Sequence, residues 1–187
     1  MALGFASLVL AGAARDASAQ VSGSPVRRYS NPEYEYVVRL PGGVPIERSS
    51  GPGPNHGLNV QLAPGSSAWV FSHYETENIH TLSDEVESVV QLRREAGCTA
   101  TGRKAATLGG VPAAELTFEC APEAGRGQPA TLKLLLTLQR PPDRGYVVYQ
   151  VGTAYLKGSE KAADAERVYR ALAGGFTFTW PVAARAE

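Results

Sequence analysis

The sequence predicts an α+β fold in which one antiparallel β-sheet is flanked by two amphipathic α-helices. Between residues 34 and 156, short segments rich in Val, Leu and Tyr alternate with clusters of Gly and Pro, which is typical of strands joined by tight turns. Two other segments repeat their apolar residues at helical spacing. Strands joined by short turns pair antiparallel, and amphipathic helices need a sheet face to cover.

The bulk composition indicates one ordinary domain and argues against some classes of partner. The chain has 187 residues, of which 43% are hydrophobic, enough for a normal core. Its 18 basic residues balance its 18 acidic ones, and no Lys/Arg cluster occurs. Such a neutral chain is not expected to bind nucleic acid or an anionic membrane surface. We assign the domain to residues 34–180, followed by a tail at 181–187.

The first residues have the features of a targeting segment. The stretch from Ala2 to Ala14 is apolar, and Ala17-Ser18-Ala19 fits a signal-peptidase site, although no Lys or Arg precedes the apolar run. The apolar run is too short to span a bilayer. The alternative to a signal peptide is a disordered or apolar N-terminal tail. We expect a signal peptide at 1–19, a mature chain that starts at Gln20 without a transmembrane segment, and a periplasmic or secreted location.

The first part of the mature chain is predicted to be a flexible segment followed by short strands. Residues 20–33 are polar and rich in turn formers, which predicts loose order. The apolar segments that follow are bounded by Pro and Gly residues, which terminate strands. The predicted strands are Tyr34–Leu40, Val44–Arg48, Leu58–Leu62 and Ala68–Tyr74.

Two segments change to a helical period. The first runs from about Ser83 to Ala96, with Thr81 or Ser83 as its cap and Gly97 as a left-handed stop. The second runs from a cap at Ser159 to about Ala173 and leads into a last strand, Phe176–Trp180. The predicted inward face of the second helix is Ala162, Ala165, Val168, Tyr169 and Leu172.

The stretch from Thr131 to Leu156 predicts a long antiparallel hairpin in the middle of the sheet. Its first half places a Leu at every second residue, and a strand turns alternate side chains to one face. Turn residues such as Pro141, Asp143 and Gly145 separate the two halves. The leucines of this stripe are Leu132, Leu134, Leu136 and Leu138.

Two cysteines lie on either side of a Gly-Gly hairpin between strands predicted at 99–107 and 113–120. If Thr107 pairs with Val111, Cys98 lies opposite Cys120 and Arg103 faces Glu115. We therefore predict a Cys98–Cys120 disulfide in an exported chain. The alternative is two free buried thiols. A metal or redox pair is disfavoured, because there is no Cys-x-x-Cys spacing and no His lies near in sequence.

No catalytic signature of a common enzyme class occurs in the sequence, and we expect no cofactor. The ionisable cluster to consider is His73, Glu75 and Glu77, with His80 nearby. On an extended strand the first three share one face and could bind a divalent metal. The interpretation we favour is a solvated strand end, so we predict no metal site. His56 is expected to be solvent-exposed in a Gly/Pro loop.

Several tyrosines fall on predicted strands, and two interpretations remain open. An aromatic strip on an exposed sheet face is a binding surface. Alternatively, the rings cover the sheet under a helix, with the hydroxyl groups at the rim. The residues concerned are Tyr34, Tyr36, Tyr74, Tyr146, Tyr149 and Tyr155.

Three motifs and the order of elements resemble the PsbP-like and Mog-like superfamily. The motifs are the opening strand ending in Pro-Gly-Gly at 36–43, the hairpin Leu-Gly-Gly-Val-Pro-Ala at 108–113, and the late helix running into Gly-Phe-Thr-Phe at 175–178. Val44-Pro45 stands where a Trp commonly follows the first proline turn. The resemblance implies an αβα sandwich without catalytic activity that acts through protein contacts. It carries over no functional residue.

We therefore predict an exported, non-enzymatic accessory or protein-interaction module of the bacterial cell envelope, with another envelope protein as its partner. The first alternative is a periplasmic protein that binds a metal or a small ligand. The second alternative is a hydrolase with a dispersed site.

Overall fold

The computed structural model describes residues 27–40, 42–48, 56–75, 79, 81–122 and 127–181. The predicted signal peptide at 1–19, the candidate metal ligand Glu77 with its neighbour His80, and tail residues 182–187 lie outside these ranges. No helix in the described part of the chain is long and apolar enough to cross a membrane.

The described residues form ten strands and two helices. The strands before the first helix are β1 (Arg27–Asn31), β2 (Tyr36–Leu40), β3 (Ile46–Arg48), β4 (Gly57–Ala63) and β5 (Ser66–Tyr74). Helix α1 (Leu82–Glu95) is followed by β6 (Cys98–Leu108), β7 (Val111–Cys120), β8 (Ala130–Gln139) and β9 (Val147–Leu156), then by α2 (Ala162–Gly174) and β10 (Phe176–Phe178).

The strands make two antiparallel sheets, whereas the sequence analysis predicted one. A seven-stranded sheet has the order β3-β4-β5-β9-β8-β7-β6, and a three-stranded sheet has the order β1-β2-β10. The predicted central hairpin is confirmed, because β9 is the middle strand of the large sheet and pairs with β8. The single-sheet prediction was wrong because β2 pairs with the strand before it and with the last strand of the chain.

The first strand was missed at the sequence level. Residues 20–33 were predicted to be loosely ordered, but Arg27–Asn31 form β1 and pair with β2. Tyr29 and Asn31 are buried while Arg27, Arg28 and Ser30 are exposed. The segment alternates like a strand, but only one of its inward residues is apolar, so hydrophobic periodicity could not reveal it.

Two hydrophobic clusters lie on opposite faces of the large sheet. This follows from β8, because a strand turns successive side chains to opposite faces. Leu132, Leu134 and Leu136 belong to one cluster and Leu135 belongs to the other. The first cluster contains Val86 and Val89 of α1 with Leu116, Phe118, Leu132, Leu134 and Leu136. The second contains Val168, Tyr169 and Leu172 of α2 with Leu135, Tyr149, Val151 and, from the small sheet, Tyr36, Val38 and Phe176.

The two helices begin differently. The Thr81 hydroxyl accepts a hydrogen bond from the Asp84 amide at 3.1 Å, so Thr81, one of the two predicted caps of α1, is the cap. Gly97, at φ +81°, follows the C-terminus of α1 as predicted. The predicted cap of α2 was wrong. The Ser159 hydroxyl accepts from the Lys161 amide in the turn before the helix, and the capping residue itself, Lys161, makes no side-chain cap bond.

The β6–β7 hairpin has a tighter turn than predicted. Leu108 pairs with Val111 across a two-residue loop formed by Gly109 and Gly110, both at positive φ. Two glycines at positive φ suit a type I′ turn, whose twist matches that of the flanking strands. As a result Lys104, not Arg103, lies opposite Glu115, with 3.0 Å between the Lys104 Nζ and a Glu115 carboxylate oxygen.

A β-bulge nearer the N-terminal end of β6 shifts the register so that the two cysteines lie opposite each other. The pairing shifts by one residue between Ala100 and Gly102, which leaves Thr101 as the extra residue. Beyond the bulge Cys98 lies opposite Cys120, and the two are joined by a disulfide with their Cα atoms 3.9 Å apart. The disulfide prediction thus succeeded although the register assumed near the turn was wrong by one residue.

Candidate functional site

The outer strand of the large sheet presents an accessible edge. Within the described residues, β6 pairs with β7 only, so its other side is open. All seven residues from Thr99 to Ala105 are exposed. An open strand carries unpaired backbone N–H and C=O groups that another strand can bind. We call this segment, Thr99–Ala105, the β6 edge. The opposite edge strand, β3, has three residues and therefore presents far fewer unpaired backbone groups.

An open groove runs beside the β6 edge, between β6, β7 and the start of α1. Its volume is about 510 Å³. The lining is mainly small and apolar, with two cations at the strand side. A segment that paired with β6 would point every second side chain toward this side of the sheet. The groove is lined by Leu82, Ser83, Val86, Arg103, Lys104, Ala105, Ala113 and Ala114.

The two cations of the β6 edge are paired with carboxylates of neighbouring elements. Arg103 lies 2.5 Å from a Glu87 carboxylate oxygen of α1, and Lys104 pairs with Glu115 of β7. Three of these four side chains are at least half exposed, so the pairs contribute little to stability. Their effect is to balance the charge of the edge, which leaves the backbone groups as its main binding feature.

The disulfide fixes the end of the β6 edge that follows α1. It joins the first residue of β6 to the last residue of β7, and the Ala121 amide donates to the Gly97 carbonyl at 3.1 Å. The covalent bond and this hydrogen bond hold β6 against β7 on the far side of the Thr101 bulge. The edge is therefore held in place although a bulge interrupts its pairing with β7.

A second group of side chains surrounds His56, next to the C-terminal end of β5. The His56 ring stacks against Tyr34 at 5.8 Å and against Phe71 at 5.2 Å between ring centroids. Its Nδ1 lies 2.9 Å from the Ser72 carbonyl oxygen and 3.0 Å from the Tyr34 hydroxyl. A carbonyl only accepts hydrogen bonds, so Nδ1 carries a proton. His56 is half-buried and packed, so the prediction of a solvent-exposed loop residue was wrong.

Arg144 ties this region to the turn between β1 and β2. Its Nη1 donates to the Glu33 carbonyl at 2.6 Å and to the Tyr74 hydroxyl at 2.5 Å, and its Nε lies 3.7 Å from the Glu35 carboxylate. The Tyr74 hydroxyl and the carboxylates of Glu35 and Glu33 raise the pKa of Arg144.

Burial, with Tyr74 and Glu33 nearby, raises the pKa of Tyr34 to about 12, so its hydroxyl is neutral at physiological pH.

The contacts of this region connect and orient chain segments. Among the described residues, His56 hydrogen-bonds to Tyr34 and Ser72 and to no carboxylate. A histidine that acts as a general base is usually oriented by an acidic group and directed at a nucleophile. The cluster around His56 lacks that arrangement within the described part of the chain.

The fold can be compared with solved structures, although no protein-family model matches the sequence and no curated protein matches it. LpqN, involved in cell envelope biogenesis of Mycobacterium tuberculosis, is 18% identical with a TM-score of 0.56, over 85% of this chain and 88% of LpqN. Cyanobacterial PsbP (CyanoP) from Synechocystis sp. PCC 6803 is 12% identical with a TM-score of 0.56, over 85% and 95%. The Saccharomyces cerevisiae Ran-binding protein Mog1p is 12% identical with a TM-score of 0.54, over 83% and 96%.

The fold is PsbP/Mog-like. The resemblance predicted from the sequence motifs is thereby confirmed at the level of the fold. With identities of 18% or less, the comparison concerns backbone architecture and not individual functional residues. The PsbP/Mog-like fold is present here as two helices with antiparallel sheets of seven and three strands.

The candidate metal ligands are placed only in part. His73 lies near the end of β5, with its ring 5.6 Å from that of Phe71. Glu75 follows the strand, and its amide donates to the Tyr146 carbonyl at 2.8 Å. Glu77 lies outside the described residues. In the described ranges, no group of three or more His, Cys, Asp or Glu side chains could hold a metal ion.

We expect zinc and manganese to bind weakly or not at all at His73, Glu75 and Glu77. The reason is that three ligands from one short segment lack the supporting hydrogen bonds that hold metal ligands in place. Calorimetric titration of the purified protein with each ion is the measurement. Stoichiometric binding below micromolar concentration that is lost in His73→Ala would contradict the prediction.

Three of the six tyrosines pack in the core that contains α2, so the second interpretation holds for their rings, but the Tyr149 hydroxyl is bonded inside the core and not at the rim. Tyr34, Tyr36 and Tyr149 are at most 1% exposed and belong to the core. The Tyr149 hydroxyl donates to the Tyr34 carbonyl at 3.0 Å, which satisfies its polar end.

The β6 edge was not predicted from the sequence, although the composition of the segment indicates an exposed strand. The Thr99–Thr107 segment contains no large apolar residue, as is expected for a strand with little to bury.

Proposed function

We propose that the protein is an exported, non-enzymatic accessory protein of the bacterial cell envelope that binds a partner protein through the β6 edge. The observation that carries this proposal is the open, exposed strand from Thr99 to Ala105 with a groove beside it. LpqN, which has a similar fold, is involved in cell envelope biogenesis, and Mog1p binds Ran. These neighbours support a role in protein contacts.

The proposed mode of binding is addition of a strand. An extended segment of the partner pairs with the backbone of β6 and places alternate side chains in the groove beside Leu82, Val86 and Ala105. The αβα sandwich forms part of this proposal. It is supported by the two clusters, each of which contains one helix and one face of the large sheet.

Export is supported by the disulfide, since such bonds persist in oxidising compartments. We expect cleavage after Ala19, at the Ala17-Ser18-Ala19 site. N-terminal sequencing of protein isolated from its native cell should begin at Gln20. Recovery of the chain from the cytoplasm with Met1 intact would contradict export.

The partner proposal is tested with a photo-reactive amino acid placed singly at Thr101 or Ala105 in the native host. Both positions are exposed on the β6 edge. Illumination should produce one discrete cross-linked species at both positions, identified by mass spectrometry. The matched control is Arg170, whose side chain is 76% exposed on α2, a helix that packs on β2, β5 and β9. Absence of a cross-linked species at the edge, or the same species from Arg170, would refute binding through β6.

A further inference from the structure

A second surface lies on the face of the large sheet that carries α1, beyond the helix. Helix α1 packs on β6, β7 and β8. On the same face, the register aligns Asn59 with Trp69 and Gly152, and Gly57 with Phe71 and Gln150. We call the area formed by Asn59, Gln61, Trp69, Phe71 and Gln150 the open face.

The indole of Trp69 lies across the backbone of Gly152. A Cβ atom added to Gly152 would be 2.3 Å from Cε2, 2.4 Å from Cζ2 and 2.7 Å from Nε1 of the indole. Because three ring atoms lie so close to this point, the ring covers Gly152. Only glycine, which has no side chain, leaves room for the ring here. The ring is thus held against the sheet, and its opposite face is turned away from the backbone.

Phe71 is the second aromatic ring of the open face. Its side chain is 36% exposed, which makes it one of two large hydrophobic residues exposed in the described part of the chain. The His56 ring stacks against it at 5.2 Å between centroids, and the tilted His73 ring lies at 5.6 Å. These neighbours hold the exposed ring in place. Stacking of a ligand on this ring therefore costs little side-chain conformational entropy.

Side-chain amides flank the two rings. Asn59 and Gln61 are exposed on β4, and Gln150 is half-buried on β9. A carboxamide both donates and accepts hydrogen bonds. The β4, β5 and β9 positions on this face, odd-numbered in β4 and β5 and even-numbered in β9, include no Asp, Glu, Lys or Arg. This part of the face combines aromatic rings with amides and holds no Asp, Glu, Lys or Arg, and the exposed carboxylate beside it is that of Glu47 on β3, opposite Asn59.

We propose that the open face binds an uncharged carbohydrate chain. One side of a sugar ring is a surface of C–H bonds that stacks on an aromatic ring, and its hydroxyl groups both donate and accept, as amides do. Trp69 and Phe71 are two residues apart on one strand, roughly 7 Å, so neighbouring sugar units of an extended chain each contact one ring. The lack of cations disfavours an anionic lipid or polymer. This site is separate from the β6 edge.

The test is native affinity electrophoresis of the full mature chain in gels that contain dextran, mannan, galactan or barley β-glucan. At least one of these uncharged polysaccharides should retard the wild-type protein, and retardation should fall at least tenfold in Phe71→Ala and in Gln150→Ala. Leu92→Ala is the matched control, because Leu92 is 59% exposed on α1. It should be retarded like the wild type. Trp69→Ala serves as a third variant where its melting temperature shows that it folds.

Three results would overturn the proposal. The first is that no polysaccharide of the panel retards the wild-type protein. The second is that Phe71→Ala is retarded as strongly as the wild type. The third is that the protein self-associates through this face, seen as a change in sedimentation that Phe71→Ala abolishes. A partner cross-linked at the β6 edge leaves this test unaffected, so the two proposals can fail separately.

Discussion

Replacing Gly57 by alanine should destabilise the protein by about 3 kcal/mol or more, because both the backbone conformation and the space at this position require glycine. Gly57 has φ +151°. A Cβ atom there would lie 1.9 Å from the carbonyl oxygen of Val70, a backbone atom that cannot rotate away. Since Gly57 follows His56 and begins β4, β4 must move away from β5, and His56 with it. Urea denaturation measures the loss in free energy of unfolding.

Gly174→Ala is the control for this change. Gly174 is the last residue of α2, and a Cβ atom there meets nothing within 4 Å. Alanine has a higher helix propensity than glycine, so this variant should be as stable as the wild type or slightly more stable. If Gly57→Ala unfolded at the same urea concentration as the wild type, the close approach of β4 and β5 would be wrong.

Loss of the Cys98–Cys120 disulfide should lower the free energy of unfolding by roughly 3 kcal/mol, the value expected from chain entropy for a loop of this size. The bond connects residues 22 apart in sequence and holds β6 to β7 beyond the bulge at Thr101. At about 2–4 °C per kcal/mol for a chain of this length, reduction should lower the melting temperature by several degrees or more. The far-UV circular dichroism of the folded state should stay unchanged.

The double variant Cys98→Ser/Cys120→Ser separates loss of the bond from other effects of the reductant. It should melt at the temperature of the reduced wild type, and adding reductant to it should change nothing further. Mass spectrometry of the alkylated, non-reduced wild-type protein should find no free thiol. Two alkylated cysteines in protein from an oxidising compartment would disprove the bond.

Features encoded by local sequence were predictable. The period of α1, its Thr81 cap and its Gly97 stop depend on residues within one or two turns, and all three are present. The β8–β9 hairpin likewise follows from two apolar segments and the turn between them. In such elements the residues that determine the conformation are neighbours in the chain.

Features that depend on the choice of a distant partner were not predictable. The pairing of β2 with β10 joins segments about 140 residues apart in sequence, and no local pattern specifies it. The disulfide shows a subtler case. The two-residue turn shifts the pairing by one residue and the Thr101 bulge shifts it back, so the cysteines meet as predicted while Arg103 does not face Glu115.

The candidate site was the least predictable part. The open face requires Trp69, Phe71 and Gln150 to be brought together by strand order, since β9 lies beside β5 only in the folded sheet. The exposure of the β6 edge depends on β6 being the last strand of that sheet, which its small side chains suggested but did not establish.

The position of β10 has a consequence for how the chain is made. Phe176 stacks on Tyr36 at 5.0 Å and pairs with Val38, so an early strand completes its sheet with the last strand of the domain. Until Phe176 has been added to the growing chain, Tyr36 lacks this partner and its side of the core stays open. Contacts of such long sequence separation form slowly. The core around β2 therefore closes only after some 140 further residues have been synthesised, so a shortened chain that lacks β10 cannot complete the small sheet.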